Sequence, residues 1–183
     1  IFQAKGDYIY FLGADDCLVD LNVIERVSSK LDNDIDIFCG RVWGVDDSIS
    51  GLKRIMGRKL TEEEVFSGEI SPHQGMFVKT TILKRMNFNI EYSIAADYEF
   101  FLKSFLLGYR IVYDNEIIAF YSLSGQSSQA LKCFDEYIDI LKKNKIDEKY
   151  IGCFIEKKVK NQNIKQFIKK IIKCLKMGDL IQK

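Results

Sequence analysis

The sequence predicts an α/β fold followed by C-terminal helices. Three observations carry this: a short apolar run at Tyr8–Leu12, an amphipathic stretch behind Asp20, and a second apolar run that opens at Ile35. Strand, helix and strand in that order suit an α/β unit. At 183 residues, 47% hydrophobic and 29% charged, the chain has the composition of a folded domain rather than a disordered one.

Tyr8-Ile9-Tyr10-Phe11-Leu12 is almost wholly apolar and is bounded by Gly6-Asp7 and Gly13, which predicts a buried strand of the parallel-sheet kind. Asp20 is placed to cap a helix over 21–31, with Leu21, Ile24, Val27, Ser28 and Leu31 as its inward stripe. Ile35–Val45 holds the second strand. Residues 46–60 are polar, carry Lys53, Arg54, Arg58 and Lys59, and read as a loop or hairpin. Thr61 with Glu64 three residues on forms a capping box for a short helix over 62–66. Gly75–Lys79 is a short strand, and Thr80 or Thr81 caps a brief helix that reaches Met86. A longer helix runs from near Ala95 to Leu107 and stops at Gly108. Tyr109–Tyr113 and Ile117–Tyr121 are expected as two strands around a turn at Asp114-Asn115. After a small-residue loop, Ser122–Ser128, helical periodicity returns near 129–144, 147–158 and 162–177.

The formal net charge of +1 gives no nucleic-acid signal. The charge is divided unevenly. Residues 1–131 carry 13 basic and 19 acidic side chains, and residues 132–183 carry 14 and 7. The tail is therefore a separate basic segment, read as a solvated helical face or as a contact with a membrane surface. A liposome-sedimentation comparison of the chain with a version ending at residue 130 tests the second reading, and equal binding to anionic vesicles rejects it. No apolar run is long enough to span a bilayer. The five cysteines, Cys17, Cys39, Cys133, Cys153 and Cys174, show no zinc spacing and read as reduced, buried thiols of a cytoplasmic protein.

Three places have the right residue types for chemistry. Asp15-Asp16, just past the first strand, could present hard oxygen ligands to Mg2+ or Mn2+, or could simply serve a turn and a helix cap. Asp97, in the first turn of the long middle helix, gains roughly 0.3–1 kcal/mol from the helix N-terminus. It could act as a general base, although acids are common in first turns in any case. His73, beside Pro72 and Gly75, could donate to a phosphate or hydroxyl or bind a metal, or be an ordinary surface histidine. Trp43 and Tyr92 could stack on a sugar or pack in the core.

Four segments together resemble family 2 glycosyltransferases, and the likeness covers about residues 1–130. They are Lys5–Leu31, with its strand, Gly13-Ala14-Asp15-Asp16 and helix; His73-Gln74-Gly75-Met76-Phe77-Val78-Lys79; Ala95-Ala96-Asp97-Tyr98-Glu99-Phe100-Phe101-Leu102-Lys103; and Ile118–Ser128. The second is similar to a subgroup that builds bacterial surface polysaccharides. The resemblance implies a partial GT-A-like three-layer fold with a mixed sheet over 1–130, and a basic helical extension over 131–183. It implies inverting transfer from a nucleotide-sugar donor to a glycan or lipid-linked acceptor; if the acceptor is lipid-linked, the lysines of the basic tail would meet anionic headgroups at the inner face of the membrane. By position, Asp15 matches the last acid of the family's Asp-x-Asp motif, Asp16 the acid after it, and Asp97 the catalytic base. Asp15, Asp16 and His73 would hold the metal-bound diphosphate. Two positions depart from the pattern: Gly13 stands where the first acid is expected, and Ala96 where many members carry Glu. The strands that clasp the nucleotide base precede Lys5 in that family. This piece alone is therefore expected to bind nucleotide sugar weakly or not at all. A non-catalytic protein-binding module derived from such a scaffold, and a divalent-dependent nucleotidyltransferase, are the competing expectations.

Overall fold

A computed structural model of the chain describes residues 1–46, 52–123 and 130–160. Its elements in order are β1 (Tyr8–Tyr10), β2 (Cys17–Leu18), α1 (Val23–Ser28), β3 (Ile37–Asp46), β4 (Leu52–Met56), α2 (Glu62–Phe66), β5 (Met76–Lys79), α3 (Thr80–Met86), α4 (Ala96–Leu106), β6 (Ile111–Ser122), α5 (Ala130–Lys143) and α6 (Glu148–Lys160). The six strands form one mixed sheet in the order β1-β5-β3-β6-β2, with β4 beside the outer half of β3. Among the described residues only β3 and β6 run parallel; the other pairs are antiparallel.

Alternation along the strands builds three layers. Ile37 and Cys39 of β3, with Met76 and Val78 of β5, face a large core shared by α2, α3, α4, α5 and α6. Phe38 and Val42, with Phe77, Ile118 and Ala119, face a smaller core under Val23 and Val27 of α1. Phe134, Ile140 and Leu141 of α5 and Phe154 of α6 are buried in the same large core as Tyr98, Phe101 and Leu102 of α4. These two helices are thus packed into the α/β body. No helix among the described residues is long and apolar enough to cross a membrane.

Several expectations need correcting. The first strand is an edge, antiparallel to β5, and ends at Tyr10; Phe11 and Leu12 are exposed. An unbroken apolar run does not distinguish a buried strand from an edge whose residues face different neighbours. Helix α1 is shorter than 21–31. It buries Val23 and Val27, while Leu21 and Ile24 are exposed. Asp20 lies outside this helix, accepts the Asn22 amide at 2.8 Å and chelates Arg26. Thr80 does not cap α3; its hydroxyl donates to the Gly6 carbonyl at 2.6 Å, which ties β5 to the chain ahead of β1.

The expected hairpin at Asp114-Asn115 is one continuous strand. Both halves of β6 pair with β3, and the register shifts between Cys39 and Arg41, where the partners jump from Tyr113 to Ile117. Asp114 accepts the Glu116 amide at 2.7 Å across the extra residues, and this bulge presents both acids to Lys30 and, through Glu116, to Arg26. The local turn chemistry was real, but it serves a bulge.

The capping box at Thr61 and Glu64 is present as read, and β4 forms the hairpin with β3. Arg58 of the basic loop is committed to Glu64 and Glu69. Tyr92 is core, its hydroxyl donating to Asp139 at 2.8 Å, and Trp43 is half-buried. Cys39 and Cys133 are buried free thiols, but Cys17 is exposed. Burial pushes the Cys39 thiol up to about 12. The Lys53 side chain, most of the Ser122–Ser128 loop, Cys174 and the lysine-rich helix near 162–177 lie outside the described residues.

Candidate active site

One end of the sheet gathers the C-terminal end of β1, the N-terminal end of β5 and the C-terminal end of β6. The antiparallel β1–β5 and β5–β3 pairs and the parallel β3–β6 pair dictate this. A cavity of about 260 Å³ opens there, lined by Gly13, Asp15, Asp16, His73, Gln74, Ser93, Ile94, Asp97, Tyr121 and Ser122. All four residues singled out from the sequence, Asp15, Asp16, His73 and Asp97, are on its wall. They come from three stretches far apart in the chain.

Asp16 is the best-anchored of them. Its Oδ2 accepts from Nε2 of the buried Gln74 at 2.9 Å, and its Oδ1 accepts from the Ser122 amide at 2.9 Å. Gln74 is held in turn through its carbonyl, which accepts the Tyr10 hydroxyl at 2.9 Å, and Tyr10 stacks on Phe77 at 4.5 Å. Burial, and then the negative charge of Asp16, push the Tyr10 phenol pKa up. Gly75 makes this tuck possible: a Cβ there would stand 2.5 Å from the Gly40 carbonyl oxygen of β3. Gly13 has a similar role. A Cβ on it would meet Asp16 Oδ2 at 2.5 Å and Asp15 Oδ1 at 3.2 Å. The Asp16 carboxylate occupies the space that a larger side chain at position 13 would take.

Asp15 is exposed and has no hydrogen bond or ion pair among the described residues. Asp97 is the second residue of α4. Its Oδ1 accepts the Tyr98 amide at 2.7 Å, which leaves Oδ2 toward His73, whose Nδ1 is 3.7 Å away. Both side chains are about one-third to two-fifths exposed, so either can reach a ligand. The 3.7 Å separation is too long for a hydrogen bond and admits a shared ligand or water.

The donor set suits a hard divalent cation only in part. Asp15 offers free carboxylate oxygens, and Asp16 retains lone pairs beside those already used. Among the described residues no three His, Cys, Asp or Glu side chains gather closely enough to hold a metal ion by themselves. A cation here would take one or two carboxylates from the protein and complete its shell with water and phosphate oxygens. This is the usual arrangement for Mg2+ on a nucleotide.

Sequence reasoning gave no role to Gln74, Ser93, Ile94, Tyr121 or Ser122. Gln74 lies inside the His73–Lys79 motif, and its burial, which makes it an anchor, has no sequence signal. Ser122 contributes a backbone amide, which no residue type announces.

Against known proteins, no family model matches the chain. It is similar to the uncharacterized glycosyltransferase MJ1057 of Methanocaldococcus jannaschii, 25% identical over 152 residues, which covers 80% of this chain and 50% of that one. Among solved structures, Staphylococcus aureus TarS 1–349 in complex with UDP-GlcNAc matches with a TM-score of 0.55 at 18% identity, over 76% of this chain and 42% of that one. The same protein in complex with UDP matches with a TM-score of 0.53. The chain has a partial glycosyltransferase fold. It spans about half the length, or less, of these relatives.

Proposed function

We propose that the chain carries the catalytic centre of an inverting glycosyltransferase. It would use a nucleotide-sugar donor, Mg2+ or Mn2+, and a saccharide or lipid-linked acceptor hydroxyl in cell-surface polysaccharide synthesis. The observation that supports this best is the single cavity shared by Asp15, Asp16, His73 and Asp97. The TarS complex with UDP-GlcNAc favours a nucleotide-sugar donor. The cytoplasmic setting rests on the cysteine pattern, and the membrane-surface setting on the basic tail.

In this reading Asp97, its Oδ1 anchored on the Tyr98 amide, uses Oδ2 to take the proton of the acceptor hydroxyl. The acceptor oxygen bonds to the anomeric carbon from the face opposite the diphosphate. The bond from that carbon to the diphosphate oxygen breaks with its electron pair leaving on the nucleotide, and one displacement inverts the centre. His73 borders both Asp97 and the acidic wall, and donates to a departing phosphate oxygen or orients Asp97. Asp15 is the residue free to hold the cation. Asp16, fixed by Gln74 and Ser122, shapes the loop that presents it. When bound, the cation supplies positive charge to the leaving diphosphate.

The test is Asp97→Asn in the intact protein. Turnover is expected to fall by about 10²–10⁴-fold, the usual contribution of a general base, with donor affinity kept within a factor of about two. Wild-type turnover in that variant removes Asp97 as the base.

A further inference from the structure

The helix that carries Asp97 begins without a capping side chain of its own. Ala95 is its N-cap, and the Ala95 side chain has no acceptor for the amides of the first turn. The acceptor comes from α5 instead. Glu136 Oε1 accepts from the Ser93 amide at 3.1 Å and the Ser93 hydroxyl at 2.9 Å, while its Oε2 accepts from the Ile94 amide at 2.9 Å and the Ala95 amide at 2.8 Å. One carboxylate thus collects three consecutive backbone N–H groups and a hydroxyl, immediately ahead of the first turn of α4.

We propose that Glu136 is a positioning residue for Asp97: it fixes the Ser93–Ala95 turn, and thereby the entry of α4 and the reach of the Asp97 carboxylate into the cavity. The proposal deepens the reading of Asp97 as the base and rests on it. Ser93 and Ile94 themselves line the cavity with Asp97, so the same four bonds also set part of its wall. Burial works to raise the Glu136 pKa, and its donors, led by the Ala95 and Ile94 amides, overcome that and hold it below the ordinary glutamate value. The carboxylate is therefore charged where it matters, and charge-assisted bonds of this kind are about twice as strong as neutral ones.

The neighbouring residues of α5 grip the same place. Tyr137 stacks on Tyr98, the residue after Asp97, with centroids 4.3 Å apart and rings 9° from parallel, and the Tyr98 hydroxyl donates to the Val65 carbonyl at 2.8 Å. Cys133 is buried one turn earlier on the same helix. Positions 133, 136, 137 and 140 follow the spacing of one helix face. The α5 helix lies beyond the four motif segments, yet it holds the start of the helix that bears Asp97.

The experiment uses the chain with Glu136→Ala and Glu136→Gln, and Asp139→Asn as a control. Asp139 sits one turn along α5 and holds the Tyr92 hydroxyl of the same loop. His73 is the chain's single histidine, so its imidazole resonance is an unambiguous reporter beside Asp97. Glu136→Ala is expected to speed amide exchange at Ser93, Ile94 and Ala95 by at least about ten-fold, two bonded carboxylate oxygens being lost, and to shift the His73 resonance. Glu136→Gln should fall between wild type and alanine, and Asp139→Asn should leave the His73 signal in place. In a turnover assay of the intact protein the alanine variant should lose about 10²-fold in kcat, as expected for a misplacement of around 1 Å, with donor affinity kept within a factor of about two. An unchanged His73 resonance with unchanged exchange at 93–95 overturns the proposal. So does a spread of faster exchange over the whole chain that Asp139→Asn reproduces, because that is the signature of a merely structural contact. The exchange and histidine readouts need no substrate, so they judge Glu136 separately from the transferase reading.

Discussion

Replacement of Gly13 by alanine has a calculable consequence. The backbone at position 13 is not left-handed, so alanine is opposed there only by what its Cβ meets. The tightest contact is Asp16 Oδ2 at 2.5 Å, which forces the Asp16 carboxylate to rotate away, whereas Asp15 Oδ1 at 3.2 Å is exposed and gives way easily. Rotation breaks its bonds to Gln74 Nε2 and to the Ser122 amide, both 2.9 Å long. Gln74 is buried, so its amide nitrogen loses its partner where water reaches it poorly. An unsatisfied buried donor costs about 1–3 kcal/mol, and a bond to a charged group contributes about 1.5–3 kcal/mol. Part of this is recovered when Asp16 meets water, which leaves an expected loss of about 2–4 kcal/mol. For a domain of this size the loss corresponds to a fall in Tm of roughly 5–15 °C. Thermal unfolding followed by circular dichroism measures it. The decisive form is a double-mutant cycle with Asp16→Ala, in which Gly13→Ala should cost almost nothing because the clashing oxygen is gone. Equal cost in both backgrounds, or no cost in either, refutes the claim that Asp16 fills the space at position 13.

Two further outcomes follow from the same geometry. Thr61→Ala removes one half of the capping box on α2 and should lower stability by about 1 kcal/mol, read as a small fall in the chemical-denaturation midpoint with an unchanged m-value. Glu64 is held down to about 2, first by its bonds from Arg58 and then by the Thr61 amide. Because its folded pKa is depressed, its contribution is present above the unfolded glutamate value of about 4.3 and disappears as pH falls toward 2. Stability curves of wild type and Glu64→Gln should therefore converge between those limits, and a gap that is constant with pH would contradict the assignment.

Much of this fold was legible because local chemistry and tertiary structure agree in it. The Thr61–Glu64 box, the glycine stop at Gly108 and the strands at 37–46 and 76–79 all follow from patterns a few residues long. What failed was neighbour assignment. Tyr8–Tyr10 is equally apolar whether central or at an edge, and Asp114-Asn115 has turn chemistry whether it closes a hairpin or a bulge. The acids of the site were visible by type and place, but not the group that fixes them. Gln74, the Ser122 amide and Glu136 act through long-range contacts, 42 to 106 residues apart in sequence for the bonds to Ile94 and Ser122. The one available clue to Glu136 was an acid on the inward face of α5. An acid on a packed helix face needs partners, and the stretch before Ala95 has donors without acceptors.

The central claim is that Asp15 and Asp97 serve one cavity, with His73 on the wall between them. Titration of the chain with Mn2+, whose unpaired electrons broaden nearby nuclear resonances, tests this without a substrate. Selective broadening of the His73 ring and of the Ser122 amide is expected, and its loss in Asp15→Asn. Broadening centred elsewhere, or equally strong at His73 when Asp15 has lost its charge, would contradict it.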